Sequence, residues 1–389
     1  MLKYLKRGPG FYGYLWRLTG PIALQNLITF SLGLIDTLMV SWLGNTQMAA
    51  VTTANVPVFL LISIVFGVQS GLSILVSQYW GKRDMEHISR AIGVAAMLGT
   101  GLTVVLAAVL YLWPVEIMDL LSNNHELSVL GAPYLKLIGI SYVFNMLSSI
   151  YVSAMRSAEN PGFGMKLFAM STVLNTGLNY LLIFGHGGLP ALGVQGAAVA
   201  SVAAQVVSCL LVYLFLAVRL RKKQWRLRFT LGFTRPELLT YAKILLPLLA
   251  SEFLWSLGEN VYSAIYGNIG TQACAAMTMT TPIQCLMVGA LSGLSKAAAI
   301  LIGKSLGTQE YDRAYRDAQR LMRCGLAASL VLSALLLVFG RLYTTIYRVE
   351  PEVRATAYLL LVVFAVISPV KVQNMILGGG ILKSGGKTN

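Results

Sequence analysis

The sequence predicts an all-α membrane protein that folds as a helical bundle. Three observations predict this class: a mean hydropathy of +0.69, a hydrophobic fraction of 56% against 12% charged residues, and long apolar runs along the whole chain. Soluble domains carry about 25% charged residues, so the composition excludes them. Because every backbone polar group in a bilayer needs an internal partner, we expect the apolar runs to be helices.

Ten apolar runs are each long enough to cross the ~30 Å hydrocarbon core of a bilayer. No charged segment with a cleavage site precedes the first run, so we expect that run to be a retained helix. In chain order the runs cover approximately 15–43, 48–80, 91–113, 131–155, 163–185, 192–218, 238–269, 272–303, 321–340 and 356–382.

The charge distribution predicts the topology of these helices. The net charge is +15, and when successive gaps are assigned to alternating sides, nearly all Lys and Arg fall on one side. The opposite gap at 114–130 has none. This positive-inside asymmetry predicts a multi-pass protein of the plasma membrane, with both termini in the cytoplasm. A nucleic-acid role for the basic cluster at 219–243 is the alternative, and we expect no nucleic-acid partner.

The chain repeats itself. Pro21 corresponds to Pro247 and Gly44 to Gly270, both at an offset of 226 residues, whereas Ser-Gly-Leu-Ser recurs at 70–73 and 292–295 with a slip of four. The offset spans six apolar runs, an even number, so both copies cross the membrane in the same sense. Two lobes of parallel six-helix repeats are therefore predicted, with chance periodicity among apolar helices as the alternative.

The repeat predicts the domain organisation. We expect an N-lobe of six transmembrane helices at 1–218, a basic cytoplasmic linker at 219–237 and a C-lobe at 238–389. The C-lobe holds only four apolar runs, so the second repeat is expected to be truncated relative to the first.

Three carboxylates lie inside apolar runs, namely Asp36, Glu252 and Glu259. An acid in hydrocarbon is costly unless it faces a cavity, a partner or a bound cation, so it marks a functional site by default. These residues predict a protein that moves cations.

The run 238–269 carries an acidic and aromatic stripe. Glu252, Trp255, Glu259, Tyr262 and Tyr266 recur at spacings of 3, 4, 3 and 4, which places them on one helix face. Carboxylates supply charge, and aromatic faces add cation–π attraction of about 0.5–2 kcal/mol each. The stripe predicts a binding site for an organic cation. A packing stripe with acids neutralised by a neighbouring helix is the alternative.

A second polar group is predicted around Asp36. Pro21 removes one helix hydrogen bond in the same run and is expected to act as a helix bend. Asn175 and Asn179, four residues apart, could complete an oxygen-rich site around Asp36; alternatively, these amides pair with other helices. Lys371 could pair with one of the glutamates, or it could snorkel to the membrane surface.

The sequence shows no catalytic or metal-binding motif. We find no convincing nucleophile–base pair, no HExxH, no GxxxxGK[ST] and no GxSxG, and the cysteines and histidines lack metal-ligand spacing. We therefore expect a protein that is not an enzyme and has no cofactor. Without a nucleotide-binding domain, transport would draw its energy from an ion gradient.

Several segments together resemble the multidrug and toxic compound extrusion (MATE) family. The resemblance covers essentially the whole chain and implies a two-lobe, twelve-helix antiporter that exports cationic drugs against inward sodium or protons. It is carried by residues 35–44 (IDTLMVSWLG), 75–84 (LVSQYWGKRD), 175–185 (NTGLNYLLIFG), 192–198 (LGVQGAA), 246–252 (LPLLASE) and 297–307 (AAAILIGKSLG).

The resemblance implies roles for individual residues. Asp36 matches the ion-coupling aspartate of the first helix, Asn175 and Asn179 match positions that assist it, and Glu252 matches a glutamate of the seventh helix. Asn179 stands where one branch has a second aspartate, and the tenth-helix aspartate of another branch is absent, with Lys371 nearby. These departures favour protons over sodium as the coupling ion, with sodium at Asp36 left open.

We therefore expect a monomeric antiporter in a bacterial inner membrane, which exports small organic cations by alternating access and is coupled to protons or sodium. Two alternatives stay open. One is a flippase for lipid-linked saccharide or peptidoglycan precursors, from the same superfamily. The other is a truncated, inactive membrane remnant.

Overall fold

The computed structural model describes residues 10–122, 124–221, 232–345 and 349–385, and these ranges are almost entirely helical. A short 3-10 turn spans His186–Gly188, and a π-helical segment spans Leu377–Leu382. The α-helices are α1 (Phe11–Ser41), α2 (Asn45–Lys82), α3 (Met85–Leu112), α4 (Pro114–Leu121), α5 (His125–Ser157), α6 (Pro161–Phe184), α7 (Val194–Arg221), α8 (Arg235–Ile269), α9 (Thr271–Gly307), α10 (Tyr311–Thr345) and α11 (Pro351–Ile376).

Ten of the described helices are long and apolar enough to cross a membrane, and the short helix α4 is the exception. The predicted all-α class and the ten predicted spans are thus confirmed. Six of these helices precede residue 222 and four follow residue 231. The truncation of the second repeat stays a prediction.

Local sequence signals explain where several helices begin and end. Asp84 caps α3, since its Oδ1 accepts a 3.1 Å hydrogen bond from the backbone N of His87. Helix α6 begins at Pro161 and is followed by Gly185 at φ +73°. A Cβ at Gly185 would lie 2.8 Å from the backbone N of Ala191, so the turn there requires glycine.

The described chain forms two compact units whose boundaries lie inside helices. The N-unit is Ser31–Phe253, and the C-unit combines the described residues up to Phe30 with those from Leu254 onward. Helix α1 therefore changes unit after Phe30, and α8 changes unit after Phe253. The repeat-based division at 1–218, 219–237 and 238–389 stays a prediction, and most of its linker (222–231) lies outside the described residues.

Each unit has its own apolar core. In the N-unit, Leu72, Ile92, Ile150 and Tyr241 belong to one cluster and are each at most 1% exposed. In the C-unit, a cluster of buried side chains joins α1, α9, α10 and α11. Small hydroxyl pairs also connect helices, which is typical of helix packing in membranes: Ser73 with Ser157 in the N-unit and Ser333 with Ser368 in the C-unit, each at 2.8 Å between Oγ atoms.

Candidate functional site

The N-unit contains a cavity of about 390 Å³ between α1, α2, α5, α6 and α7. Its wall is mixed, with apolar side chains such as Val58 and Ile138 beside many neutral polar groups. Asp36 supplies the one carboxylate among the described lining residues, and no Lys or Arg is found there. The other polar lining residues are Thr37, Thr52, Asn55, Tyr134, Ser141, Tyr142, Asn145, Ser171, Asn175, Ser201 and Gln205.

A chain of hydrogen bonds runs from Asp36 through α6 to α7. Nδ2 of Asn179 donates to Oδ1 of Asp36 at 2.6 Å and to Oδ1 of Asn175 at 3.1 Å. Nδ2 of Asn175 in turn donates to Oγ of Ser201 at 3.2 Å. The structure thus brings together Asp36, Asn175 and Asn179, although their role in ion coupling stays a prediction.

The two asparagines are deeply buried, with Asn175 4% and Asn179 1% exposed. Oδ1 of Asn179 is buried and has no hydrogen-bond partner among the described residues. A buried acceptor of this kind costs free energy unless a proton donor, a water molecule or a cation reaches it. It is therefore an acceptor close to the Asp36 carboxylate that no described protein group fills.

The oxygen atoms around Asp36 fit a proton or a singly charged cation better than a multivalent metal. One carboxylate and neutral amide and hydroxyl oxygens are hard ligands of low total charge. Among the described residues, no group of three or more His, Cys, Asp or Glu side chains could hold a metal ion.

Two further polar contacts at the cavity wall were not predicted from the sequence. Nδ2 of Asn145 donates to Oε1 of Gln205 at 3.2 Å, which joins α5 to α7. The hydroxyl of Tyr134 donates to Oδ1 of Asn55 at 3.3 Å. Neutral polar residues are common at helix interfaces in membranes, so the sequence contains no signal that separates these four from packing residues.

The predicted acidic and aromatic stripe lies along α8. Glu252 is partly buried and belongs to the N-unit, whereas Trp255, Glu259, Tyr262 and Tyr266 lie in the C-unit part of the helix. Trp255 is 56% and Tyr262 65% exposed. None of the five is among the described residues that line the N-unit cavity. Their role in substrate binding stays a prediction.

The C-unit holds a second set of polar groups inside its spans. Nζ of Lys296 donates to Oδ1 of Asn26 at 3.1 Å, and Nδ2 of Asn26 donates to Oγ of Ser292 at 2.7 Å. Nζ of Lys371 lies 5.9 Å from the centre of the Phe364 ring, and its pairing with one of the glutamates stays a prediction.

Pro21 lies inside α1, in the part that belongs to the C-unit. The helix is continuous on both sides of it from Phe11 to Ser41. A role for Pro21 as a moving bend stays a prediction.

Both a family model and individual relatives match most of this chain. A sequence model of the MatE family matches residues 21–181 and 247–389. The chain is 26% identical over 354 residues to the "Probable multidrug resistance protein YoeA" of Bacillus subtilis, covering 88% of this chain and 75% of the relative. It is 22% identical over 371 residues to the "Uncharacterized transporter YisQ" of the same organism, covering 95% of this chain and 81% of the relative.

Solved structures share the fold. A mutant of the MATE transporter VcmN from Vibrio cholerae superposes with a TM-score of 0.88 at 21% identity, covering 97% of this chain and 84% of that chain. A MOP superfamily transporter from Pyrococcus furiosus gives a TM-score of 0.83 at 20% identity, covering 96% and 83%.

Proposed function

Because the chain belongs to the MatE family, we propose that it exports small organic cations across a membrane in exchange for an inward-moving cation. The observation that carries this proposal is the Asp36 site, in which one carboxylate is held by the amide of Asn179 beside a cavity of about 390 Å³. A carboxylate in a membrane span is expensive to retain without a function of this kind. Members of this family are transporters, and we expect no enzymatic activity.

The exchange of cargo for the coupling ion follows because both compete for the single negative charge of Asp36. A proton neutralises the Asp36 carboxylate, whereas an organic cation is attracted only to its ionised form, so the two do not bind there together. Protonation from the outer side would release the cargo, and loss of the proton to the cytoplasm would restore the binding charge. Sodium could replace the proton because the surrounding oxygens, including the unpartnered Oδ1 of Asn179, are suitable ligands.

The stripe on α8 would contribute to cargo binding. Glu252 and Glu259 supply negative charge, and the exposed rings of Trp255 and Tyr262 present faces that attract cations. In this scheme the coupling ion and the charge of the cargo compete at Asp36, and the residues of α8 supply further contacts to the cargo.

The same proposal includes the membrane topology and the lobe organisation. By the positive-inside rule, both termini would lie in the cytoplasm, and the bacterial relatives make the plasma membrane of a bacterium the expected location. The protein would act as a monomer made of two parallel repeats that alternate in access, with helices α8 to α11 forming the second lobe.

A flippase for pyrophosphate-linked precursors is not favoured. Such a cargo needs cationic side chains, whereas the described lining of the N-unit cavity contains Asp36 and no Lys or Arg.

The test is ethidium efflux from proteoliposomes that contain the purified 389-residue chain, first under a pH gradient and then under a sodium gradient. We expect Asp36→Asn and Glu252→Gln to abolish efflux without changing the yield of folded protein. Glu116→Gln, in the short helix α4, is the control and should retain efflux. Full efflux by both variants would refute the scheme, and an inactive wild-type chain would favour the inactive remnant.

A further inference from the structure

The first helix of each repeat starts in one compact unit and continues in the other. Helix α8 is the repeat counterpart of α1, since Pro247 corresponds to Pro21. The start of α1, up to Phe30, belongs to the C-unit, and the start of α8, up to Phe253, belongs to the N-unit. Each start must therefore be held by contacts inside its host unit.

The start of α8 packs against two glycines of α2, and we call this pair of glycines the seat of the helix. A Cβ at Gly67 would lie 2.6 Å from Cδ2 of Leu249, and one at Gly71 would lie 3.6 Å from the hydroxyl of Tyr241. That hydroxyl, on a side chain only 1% exposed, donates to the carbonyl oxygen of Val68 at 2.9 Å. Glycines four residues apart let two helices approach closely; the close approach here is at Gly67, whereas the distance at Gly71 is an ordinary van der Waals contact.

The start of α1 has an equivalent seat on α9. A Cβ at Gly293 would lie 3.0 Å from the backbone N of Ala23 and 3.1 Å from the carbonyl oxygen of Thr19. One at Gly289 would lie 2.5 Å from the ring of Phe30. The repeated Ser-Gly-Leu-Ser at 70–73 and 292–295 makes the two glycine pairs equivalent in sequence. Both units thus pack a helix start against a glycine pair, and the close approach at Gly293 in the C-unit is to backbone atoms, whereas that at Gly67 in the N-unit is to a side chain.

The first turn of α8 is held differently, by an ion pair. Oε1 of Glu237 lies 3.1 Å from Nη1 of Arg90 on α3, with side chains 22% and 29% exposed. The other carboxylate oxygen of Glu237 accepts hydrogen bonds from N (2.6 Å) and Oγ1 (2.9 Å) of Thr234. Arg90 also contacts Glu86 in its own helix at 2.5 Å.

The space beside this ion pair is not filled. A cavity of about 140 Å³ lies there, and its lining includes Tyr79, His87, Thr240 and Tyr241 as well as the two charged partners. Partly exposed ion pairs are weak and reversible, and the incomplete packing leaves room for the first turn of α8 to move. Of the contacts at the α8 start, the ion pair is therefore the one that we expect to open most readily.

The equivalent position in the C-unit carries no acid. Phe11 corresponds to Glu237 at the offset of 226, and the ring of Phe11 lies 5.2 Å from the guanidinium of Arg320. Nζ of Lys304 lies 5.8 Å from the ring of Tyr14. The first turn of α1 thus makes cation–π contacts, and among the described residues the ion pair is found at the α8 start and not at its α1 counterpart.

We propose that Glu237 and Arg90 are gating residues of the transport cycle. Their ion pair holds the first turn of α8 against α3 in one end state, and it must separate before the cycle can reach the other. The pair acts through the position of α8 and touches neither cargo nor coupling ion. This inference rests on the proposed export function, because gating has meaning only for a protein that transports.

Reversible cross-linking tests the proposal. In a background without native cysteines, Arg90→Cys with Glu237→Cys is joined by a short bifunctional thiol reagent that a reductant cleaves. We expect the cross-link to lower ethidium efflux by at least about tenfold, as expected when a required conformational step is blocked. Reduction of the same sample should restore efflux, which shows that the protein stayed folded. Undiminished efflux by the cross-linked protein would overturn the proposal.

The matched control is Glu86→Cys with Arg90→Cys, which is joined within α3 by the same reagent. This cross-link leaves α8 free, so efflux should stay within about twofold of the unlinked sample. Equal inhibition by both cross-links would overturn the gating role, because it would show that any link at Arg90 is inhibitory.

A second measurement separates this inference from the proposed function. If the unlinked protein exports no organic cation, the proposed function fails, and hydrogen exchange still tests the contact itself. We expect Arg90→Gln to speed amide exchange in residues 235–245, and Glu86→Gln to leave it unchanged. Unchanged exchange in Arg90→Gln would show that the ion pair does not hold the start of α8.

Discussion

The side-chain amide of Asn179 donates a 2.6 Å hydrogen bond to Oδ1 of Asp36, which joins α6 to α1 inside the N-unit. The same nitrogen also reaches Asn175, so one amide orients both the carboxylate and a second oxygen ligand. The orientation of Asp36 toward the cavity therefore depends on a residue 143 positions away in the chain.

Replacing Asn179 with Ala should impair transport. Hydrogen bonds to charged groups contribute about 1.5–3 kcal/mol, so we expect ethidium efflux to fall by roughly 10- to 100-fold. The measurement is the initial efflux rate in proteoliposomes at a fixed pH gradient. Asn145→Ala is the control because it removes an amide from the same cavity wall without touching Asp36. Equal losses in both variants would show that the cavity wall in general, and not the Asp36 bond, is limiting.

Replacing Trp255 with Ala should weaken cargo binding. The exposed indole face is expected to contribute about 0.5–2 kcal/mol of cation–π attraction, or roughly 2- to 30-fold in KM for ethidium. The maximal rate should change little, and Trp255→Phe, which keeps an aromatic face, should recover much of the affinity. A fall in maximal rate at constant KM would contradict the assignment of this stripe to cargo binding.

Replacing Gly293 with Ala should destabilise the protein. The new methyl group would meet backbone atoms of α1 at 3.0–3.1 Å, and such overpacking costs about 1–3 kcal/mol. Thermal unfolding in detergent should therefore show a lower Tm. Gly101→Ala on α3 is the control, since a Cβ there would meet nothing within 4 Å. An unchanged Tm for Gly293→Ala would show that α1 can shift at this seat without cost.

The stabilising effect of the Asp84 cap should depend on pH. Partial burial raises the pKa of Asp84, but the hydrogen bond from the His87 backbone and the charge of His87 outweigh it, so the pKa lies below its ordinary value. A lowered pKa means that the folded state favours the ionised cap. The cap therefore stabilises the protein above the ordinary pKa of about 3.9 and loses this effect as the pH falls below it.

Asp84→Ala should accordingly cost about 1 kcal/mol at pH 7 and clearly less at pH 3. The measurement is the difference in Tm between the variant and the wild-type protein at the two pH values. Asp312→Ala, in the first turn of α10, removes an exposed acid as a control and should show a smaller difference at pH 7. A difference that is the same at both pH values would show that the charge of the cap is not what stabilises α3.

The sequence predicted the spans and the principal candidate residues because these signals are local. Apolar runs mark the helices regardless of what they pack against, and the charges of Asp36, Glu252 and Glu259 stand out in hydrocarbon. The 3–4 spacing of the α8 stripe could also be recognised in the sequence, because it depends only on helix geometry. The neutral contacts of Asn145 with Gln205 and of Tyr134 with Asn55 carry no charge that would mark them in the sequence.

By itself, the sequence determined the helical membrane class and the ten spans, and it predicted the repeat. Only the tertiary structure decided which helices meet: that Asn179 reaches Asp36, that Gly67 and Gly71 seat α8, and that α1 and α8 each change unit partway along. The physical reason is that membrane helices are apolar on nearly every face. A soluble helix reveals its inner face by an apolar stripe, whereas here the helix partners follow from close packing and a few polar contacts between residues that are distant in the chain.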